Sequence, residues 1–555
     1  MSRALSAGLA GGLLAGATVG AVEAIVSWFG AHGAGEMPPV AWASLVYGLV
    51  GGGLGVGVGV LCAVTRSDAY GLAVGSVLGV MGVLVGRFRV IRDIFQEQAP
   101  KGFTAAVVQA AVLLGAIALA AVLYRWLKGA DTRRGLLTRP VPVFGILLLL
   151  AGALNGALHV GDGPLVAAVG ARAAAPKGAP NIILLMCDTL RADHLSSYGY
   201  TRSRTPRIDG LAADGIRFAN NFAQASWTRA SVGTILTGLY PSSHGAVHKS
   251  DMLPDRVETL AEMLTAGGYY AAGLANNANV APNFNFGQGF DDYRYLAPDF
   301  FFWADEPASQ LTFYNGLRLV RERFLARRVD VHNYYQPGEV VTAEAIRWLS
   351  GAASKDRPFF LFLHYMDPHD PFMVHPYNGE GYARVANPNP PADQADKLRR
   401  VYDGEIAYLD EQLGVLFDDL KARGVWDDTI VLLSADHGEE FHEHGGWWHG
   451  TTLYDEQIHV PLIIKPARGG VRGRVIAELS TNLDIVPTLI SAAGLAPPAT
   501  LQGRAIPLTD APYAGWPQVF SENDLEGNVL TALRSKDWKL IQANAGNPRG
   551  LQPKE

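Results

Sequence analysis

Hydrophobic and polar positions change their pattern at about residue 160. Before it, long runs of Gly, Ala, Val and Leu dominate; after it, apolar blocks are short and separated by polar and charged residues. A helix needs roughly 20 apolar residues to cross a bilayer. Five stretches approach or exceed that length: Ala4–Phe29, Val40–Val64, Tyr70–Val85, Phe103–Leu127 and Val141–Val160. A cleaved signal peptide accounts for one such run, not for five. From Pro180 on, Ile182–Met186, Phe359–His364 and Ile430–Leu433 read as strands. Helical spacing marks Leu211–Asp214, Val257–Ala266, Val340–Leu349 and Asp403–Arg423, the last stopped by Gly424. This alternation predicts an α/β domain with a mainly parallel sheet flanked by helices. The expected organisation is a polytopic membrane domain over 1–160, a Gly/Ala/Pro-rich linker over 161–179 and a catalytic domain over 180–555.

Lys and Arg in the short loops set the orientation. With the N-terminus inside, Arg3, Arg66, Arg125, Lys128, Arg133, Arg134 and Arg139 face the cytoplasm, and the first outer loop carries none. Arg87, Arg89, Arg92 and Lys101 in the second outer loop run against the pattern. Arg87–Gln98 reads either as an interfacial helix on lipid headgroups or as a solvated basic turn. The N-inside reading puts everything after residue 160 outside the cytoplasm, on a multi-pass protein of the cell membrane. The net charge of -6 gives no case for nucleic acid. Cys62 and Cys187 are too few for a disulfide framework and read as small hydrophobes.

The candidate chemistry sits where apolar runs end. Ile182–Cys187 ends on Asp188, and Ile430–Ser434 leads to Asp436-His437-Gly438-Glu439. Open α/β sheets bind ligands beyond the carboxyl ends of their strands, so both runs would deliver metal ligands to one edge. A divalent ion there can lower a hydroxyl's pKa and neutralise an ester oxyanion. Thr228, in Ser226-Trp227-Thr228-Arg229-Ala230-Ser231, supplies the hydroxyl. Histidine among the ligands favours Mn or Zn, leaves Mg open and disfavours Ca.

The chain from Pro180 to about Leu540 resembles the sulfatase family of the alkaline-phosphatase superfamily. The matching text includes Asp188-Thr189-Leu190-Arg191-Ala192-Asp193, Leu236-Thr237-Gly238, Asp367-Pro368-His369-Asp370-Pro371, Asp436-His437-Gly438-Glu439 and Asp484-Ile485-Val486-Pro487. The resemblance implies that Asp188, Asp436 and His437 hold a metal, with Thr228 at the head of a helix as fourth partner. A helix N-terminus offers free N–H groups to an anion; Ser231 would cap that helix or touch the anion, and Arg229 would act by its charge. His369 would give a proton to the leaving group. His449 falls near an anion-binding Lys of the family. Glu439 would orient His437 or a metal-bound group, and His244 would be structural. His364, His442 and His444 with Asp367 would form a second metal site or a polar lining.

Departures from the family narrow the chemistry. Sulfatases place Cys or Ser at the Thr228 position, followed by x-Pro-Ser-Arg; here Ala230, Ser231 and Val232 stand there. Thr cannot become formylglycine, so none is expected. Their Gly-Lys-Trp-His segment is replaced by Ala272–Asn277. A Thr nucleophile beside an Asp–His pair is similar to lipoteichoic acid synthases and lipid A phosphoethanolamine transferases, which also carry membrane helices before an extracytoplasmic catalytic domain. The expected function is cleavage or transfer of a phosphodiester on a lipid or envelope glycan. The alternatives are sulfate monoester hydrolysis without formylglycine, and a non-catalytic membrane scaffold, against which intact Asp188, Thr228, Asp436 and His437 speak. Phe300–Trp303 and Leu311–Arg328 form an aromatic, then basic amphipathic insertion suited to a membrane surface or to packing as a surface helix. Relatives continue beyond a segment like Ala532–Ile541, so a truncated or shortened edge is expected near Glu555.

Overall fold

The computed structural model describes residues 2–30, 37–94, 102–127, 139–161, 173–325, 328–352 and 357–551. The chain forms two compact units: Met1–Leu165 with Phe300–Phe324, and Val166–Asp299 with Leu325–Glu555.

The first unit contains α1 (Ser2–Gly30), α2 (Val40–Thr65), α3 (Ala69–Arg89), α4 (Gly102–Leu127) and α5 (Pro140–Gly161). All five are long and apolar enough to cross a membrane. A glycine every fourth residue on α1 lets α2 approach backbone to backbone: a Cβ on Gly12 would stand 2.2 Å from the Gly51 carbonyl oxygen, and one on Gly16 would stand 2.1 Å from that of Tyr47. Small residues play this part where helices share an apolar medium.

One acid interrupts the apolar packing. Glu23 of α1 is 3% exposed, and a buried carboxylate must be paired. Arg89 Nε donates to its Oε1 over 2.8 Å, and the Thr312 backbone N–H and hydroxyl donate to the same oxygen over 3.0 and 2.7 Å. The Tyr47 hydroxyl donates to Oε2 and accepts the Phe313 N–H. Arg89 and Arg92 also donate to the Gln310 carbonyl, over 3.2 and 2.7 Å. Two of the arginines that run against the loop-charge pattern are thus engaged with protein groups. Arg92 lies in a wide helical turn, Val90–Ile94, that extends α3; residues 95–101 of the basic loop, Lys101 among them, lie outside the described residues.

In the second unit, eight strands form the central sheet: β1 (Asn181–Cys187), β2 (Ile216–Phe222), β3 (Tyr270–Ala275), β4 (Asp292–Tyr295), β5 (Phe359–Tyr365), β6 (Thr429–Ser434), β7 (Leu462–Lys465) and β8 (Arg474–Thr481). Their order is β8-β2-β7-β6-β1-β5-β3-β4. Only β7 runs against the rest. The helices that cover this sheet include α6 (Pro206–Ala213), α7 (Thr228–Thr237), α8 (Leu260–Ala266), α9 (Gly338–Ala352), α10 (Ala395–Ala422) and α11 (Ile485–Ala492).

The continuous apolar runs of β1 and β6 follow from cover on both faces. Ile183, Leu185 and Cys187 belong to one core with Val341 of α9 and Leu409 of α10. Ile182, Leu184 and Met186 belong to the other with Val232 of α7, Leu264 of α8 and Leu489 of α11. Register places Met186 of β1 beside Ser434 of β6 and His364 of β5. The three strands therefore end side by side, which sets the position of the site. Beyond the sheet, β9 (Val519–Leu525), β10 (Asn528–Arg534) and β11 (Lys539–Ala543) form an antiparallel meander.

Candidate active site

Asp188 follows β1, Asp436 and His437 follow β6, and Thr228 opens α7 six residues after Phe222 closes β2. All four come from carboxyl ends of mutually parallel strands. Asp188, Asp436 and His437 are fully buried and Thr228 is 2% exposed. One donor atom each of Asp188, Asp436 and His437 lies within 4.8 Å of the others, and among the described residues this is the one such group of potential metal ligands. His437 Nε2 is 3.3 Å from Asp436 Oδ2, 3.7 Å from Asp188 Oδ1 and 3.4 Å from the Thr228 hydroxyl.

The tautomer of His437 follows from its other nitrogen. Nδ1 lies 3.0 Å from the Gly438 carbonyl, which can only accept. Nδ1 therefore carries the proton, and the Nε2 lone pair faces the carboxylates and accepts from Thr228. Burial pushes the His437 pKa down to about 4, keeping the ring neutral. Asp188 Oδ1 and Asp436 Oδ2 are buried with no hydrogen-bond partner. Orphaned carboxylate oxygens carry a large desolvation cost, and beside a neutral imidazole lone pair they fit a divalent cation.

The remaining oxygens of both acids are held. Asp436 Oδ1 accepts the N–H groups of His437, over 2.9 Å, and Thr189, over 3.3 Å. Asp188 Oδ2 accepts from Asn277 Nδ2 over 2.8 Å and stands 3.4 Å from His364 Nε2. Burial opposes ionisation of Asp188, but the charge of His369 and the His364 contact hold its carboxyl below the usual range. Burial, then the Asp188 charge, pushes Asp436 well up. A cation between them would remove that conflict. Neither Asn277 nor the His364 contact with Asp188 is visible in the sequence pattern. Asn277 occupies the region where sulfatases carry Gly-Lys-Trp-His, so the altered segment marks its place without revealing its partner.

The loop after Asp188 is strained. Thr189 has φ +60°, a rare conformation for a β-branched residue that costs about 1–3 kcal/mol and needs support from its surroundings. Tyr402 of α10 supplies it: the hydroxyl donates to the Thr189 carbonyl over 2.7 Å and accepts the Arg191 N–H over 3.0 Å. Arg191 grips Asp193 with two nitrogens at 2.9 and 2.7 Å, and reaches Glu443 at 2.7 Å and the Glu439 carbonyl at 2.9 Å. It ties the loop after β1 to the loop after β6.

Three imidazoles line up. The His437 and His449 ring centres are 4.5 Å apart, and those of His449 and His369 are 4.9 Å apart. His369 Nδ1 donates to the Asp370 carbonyl over 2.6 Å. Burial works against protonation of His369, but the charges of Asp188 and Asp370 outweigh it and raise its pKa. Burial, then the charges of His437 and His369, lowers that of His449 well below the ordinary value.

Several expected contacts differ. Glu439 orients His449, through Nδ1 at 3.0 and 3.2 Å, whereas His437 is held by its neighbour's carbonyl. Ser231 neither caps α7 nor faces an anion; its hydroxyl donates to the Asp436 carbonyl over 2.5 Å. Arg229 is 1% exposed and donates to the carbonyls of His248, at 3.1 Å, Lys249, and Asp251, at 3.2 Å, so it braces that loop. His364, His442 and His444 do not converge with Asp367: His442 lies against Trp447, and His444 stacks on Tyr454 and contacts Glu456 at 2.6 Å. His244 is structural, accepting the Ala246 N–H over 3.1 Å and contacting the Ala230 carbonyl at 3.0 Å. The C-terminal meander supports the site's rim: Asn523 accepts the Ser226 hydroxyl over 3.1 Å and donates to the Gly450 carbonyl over 3.0 Å.

Residues 180–495 match the sulfatase family model. Human arylsulfatase A is 30% identical over 363 residues, covering 58% of this chain and 66% of that protein. The multifunctional alkaline phosphatase superfamily protein PehA of Trinickia caryophylli is 26% identical over 400 residues, covering 59% and 76%. The fold is shared with the phosphonate monoester hydrolase of Agrobacterium radiobacter, with a TM-score of 0.52, 23% identity and coverage of 66% and 87%.

Proposed function

The chain belongs to the sulfatase family, and on that premise we propose that this sulfatase-like ester hydrolase cleaves or transfers a phosphodiester through Thr228 while anchored in a cell membrane. The observation that carries this reading is the Thr228 hydroxyl at the head of α7, 3.4 Å from the His437 lone pair. A threonine cannot supply the aldehyde hydrate of sulfatases but can form a phosphoester. Asn277, meanwhile, is engaged with Asp188 where sulfatases carry sulfate-gripping side chains.

Asp188, Asp436, His437 and Thr228 would hold one divalent ion, of Mn, Zn or Mg in that donor set. When bound, such an ion acidifies a ligating hydroxyl and offsets charge on the ester oxygens. Thr228 attacks phosphorus, its oxygen forming the new P–O bond as the bond to the leaving alcohol breaks. The free N–H groups at the start of α7 receive the phosphoryl oxygens. Thr228 releases its proton to solvent as it attacks, and His369, whose hold on its proton is strengthened by Asp188 and Asp370, gives one to the departing alkoxide, with His449 kept neutral by burial between the His369 and His437 rings. Water or an alcohol then releases the group from Thr228.

The loop charges favour the catalytic unit outside the cytoplasm, because Arg89 and Arg92 are engaged by Glu23 and Gln310. A lipid or envelope glycan suits an enzyme so anchored. Initial rates on aryl phosphodiesters, phosphomonoesters and sulfate monoesters test the reading. Phosphodiesters should be turned over fastest; a large preference for sulfate monoesters would overturn it in favour of sulfatase chemistry without formylglycine.

A further inference from the structure

The segment Phe300–Phe324 interrupts the second unit in sequence and belongs to the compact unit of the apolar helices, where it meets α1, α2 and α3. Its inner side is fixed: Leu311 is fully buried in the helical core, Thr312 binds Glu23, and the Phe302 carbonyl accepts the Trp42 indole N–H over 2.8 Å. These partners define its depth. At 1.5 Å rise per residue, Glu23 lies about 10 Å inside the Gly30 end of α1, and Trp42 about 3 Å inside the start of α2. Arg89 closes α3. All three mark the same end of the helices, where a bilayer passes from acyl chain to headgroup.

The outer side is apolar. Trp303 is 92% exposed, Phe324 75%, and Phe302, Leu319 and Val320 between 43% and 48%. Phe302 and Trp303 both sit at positive φ, 57° and 53°, a costly backbone for aromatic residues. Aromatic rings of this kind collect at membrane interfaces. Arg323, beside Phe324, is exposed, and its long stem allows the guanidinium to reach a phosphate while Phe324 points into lipid.

We propose that Phe300–Phe324 is a lipid-docking element, clasped from within by Glu23 and Tyr47, whose outer face seats in the phospholipid headgroup layer of the bilayer that holds α1–α5. It rests on the membrane-spanning reading of the five helices and is independent of Thr228 chemistry. The segment fixes the helical unit to the interface at a place besides its five helices.

The full chain reconstituted in phosphatidylcholine vesicles tests this. Trp303→Cys and Phe324→Cys receive a fluorophore, with Leu149→Cys on the exposed face of α5 as a lipid control and Val475→Cys on β8 as an aqueous control; native Cys62 and Cys187 are buried. Labels at 303 and 324 should be quenched by headgroup-proximal nitroxide lipid several-fold more than the label at 475, and correspondingly less by iodide. Quenching at 303 and 324 equal to that at 475, with 149 quenched by lipid, overturns the inference. Absence of lipid quenching at 149 overturns the spanning reading beneath it. Glu23→Gln, or the milder Thr312→Val should the first not fold, should shift label 303 toward iodide access. An unchanged label 303 in a folded variant would remove the clasp.

Discussion

The hydroxyl of Thr228 lies 3.4 Å from Nε2 of His437, across 209 residues of chain. Because Nδ1 of His437 donates to the Gly438 carbonyl, the nitrogen that meets Thr228 is a lone pair. The nucleophile candidate and the metal-ligand candidate are thus one local unit, set by a backbone carbonyl.

Thr228→Ala should lower turnover by at least about a thousandfold with little change in substrate binding, since a route made only in the transition state is lost. Thr228→Ser should keep measurable activity. Rapid quench and mass spectrometry should find the phosphoryl-containing group on Thr228. Full activity in the alanine variant would show that Thr228 is not the nucleophile.

Asn277→Ala should weaken divalent-metal affinity about 10–100-fold, the usual effect of removing a group that orients a ligand. Asn277 donates to Asp188 Oδ2, so its loss frees that carboxylate to turn. Calorimetric metal titration of folded protein reads the change, and unchanged affinity would exclude this role.

Chelation should abolish activity and lower the melting temperature, and restoring the preferred ion should recover both. A ligand that binds only the folded state stabilises by about 2.7 kcal/mol at a hundred times its Kd. Asp436→Asn should remove most of the ion-dependent rise in melting temperature.

His369 should shape the alkaline limb of the rate profile. Its pKa is raised above the ordinary imidazole value, so it keeps its proton to higher pH than a free imidazole and activity should fall as pH rises through the raised pKa. His369→Gln should lose this limb, and should slow esters of poor leaving groups far more than nitrophenyl esters, which leave without a proton. An unchanged limb assigns the acid elsewhere.

His244 should contribute to acid instability. Burial lowers its pKa to about 4, against about 6.5 when unfolded, so between these values the unfolded chain binds the extra proton. Stability from this group is complete above pH 6.5 and falls by about 3 kcal/mol on descending to pH 4. Denaturant titrations of His244→Gln should show a shallower loss over that window.

How much was legible follows from what each element packs against. β1, β5 and β6 announce themselves because burial on both faces demands uninterrupted apolar residues. β2 mixes Arg217, Asn220 and Asn221 among its apolar positions, and β7 has four residues, so neither carries a distinct period. Asp188, Asp436 and His437 were legible because they end such runs. Asn277 was not, since an amide on a loop acquires meaning only from the oxygen it meets. Arg229 carries the charge expected beside an anion, yet its guanidinium turns inward to carbonyls. The aromatic and basic character of Phe300–Phe324 was readable; its buried partner on α1, nearly 300 residues earlier at Thr312–Glu23, was not.

The clasp on Glu23 bears on how the protein is made. Ribosomal synthesis delivers α1 to α5 long before Thr312, so a nascent chain holds Glu23 with only Tyr47 and Arg89 to meet it. The helical unit is completed by a piece translated in the middle of the enzyme. A messenger cut short before residue 300 would therefore yield five helices in which Glu23 lacks both hydrogen bonds from Thr312.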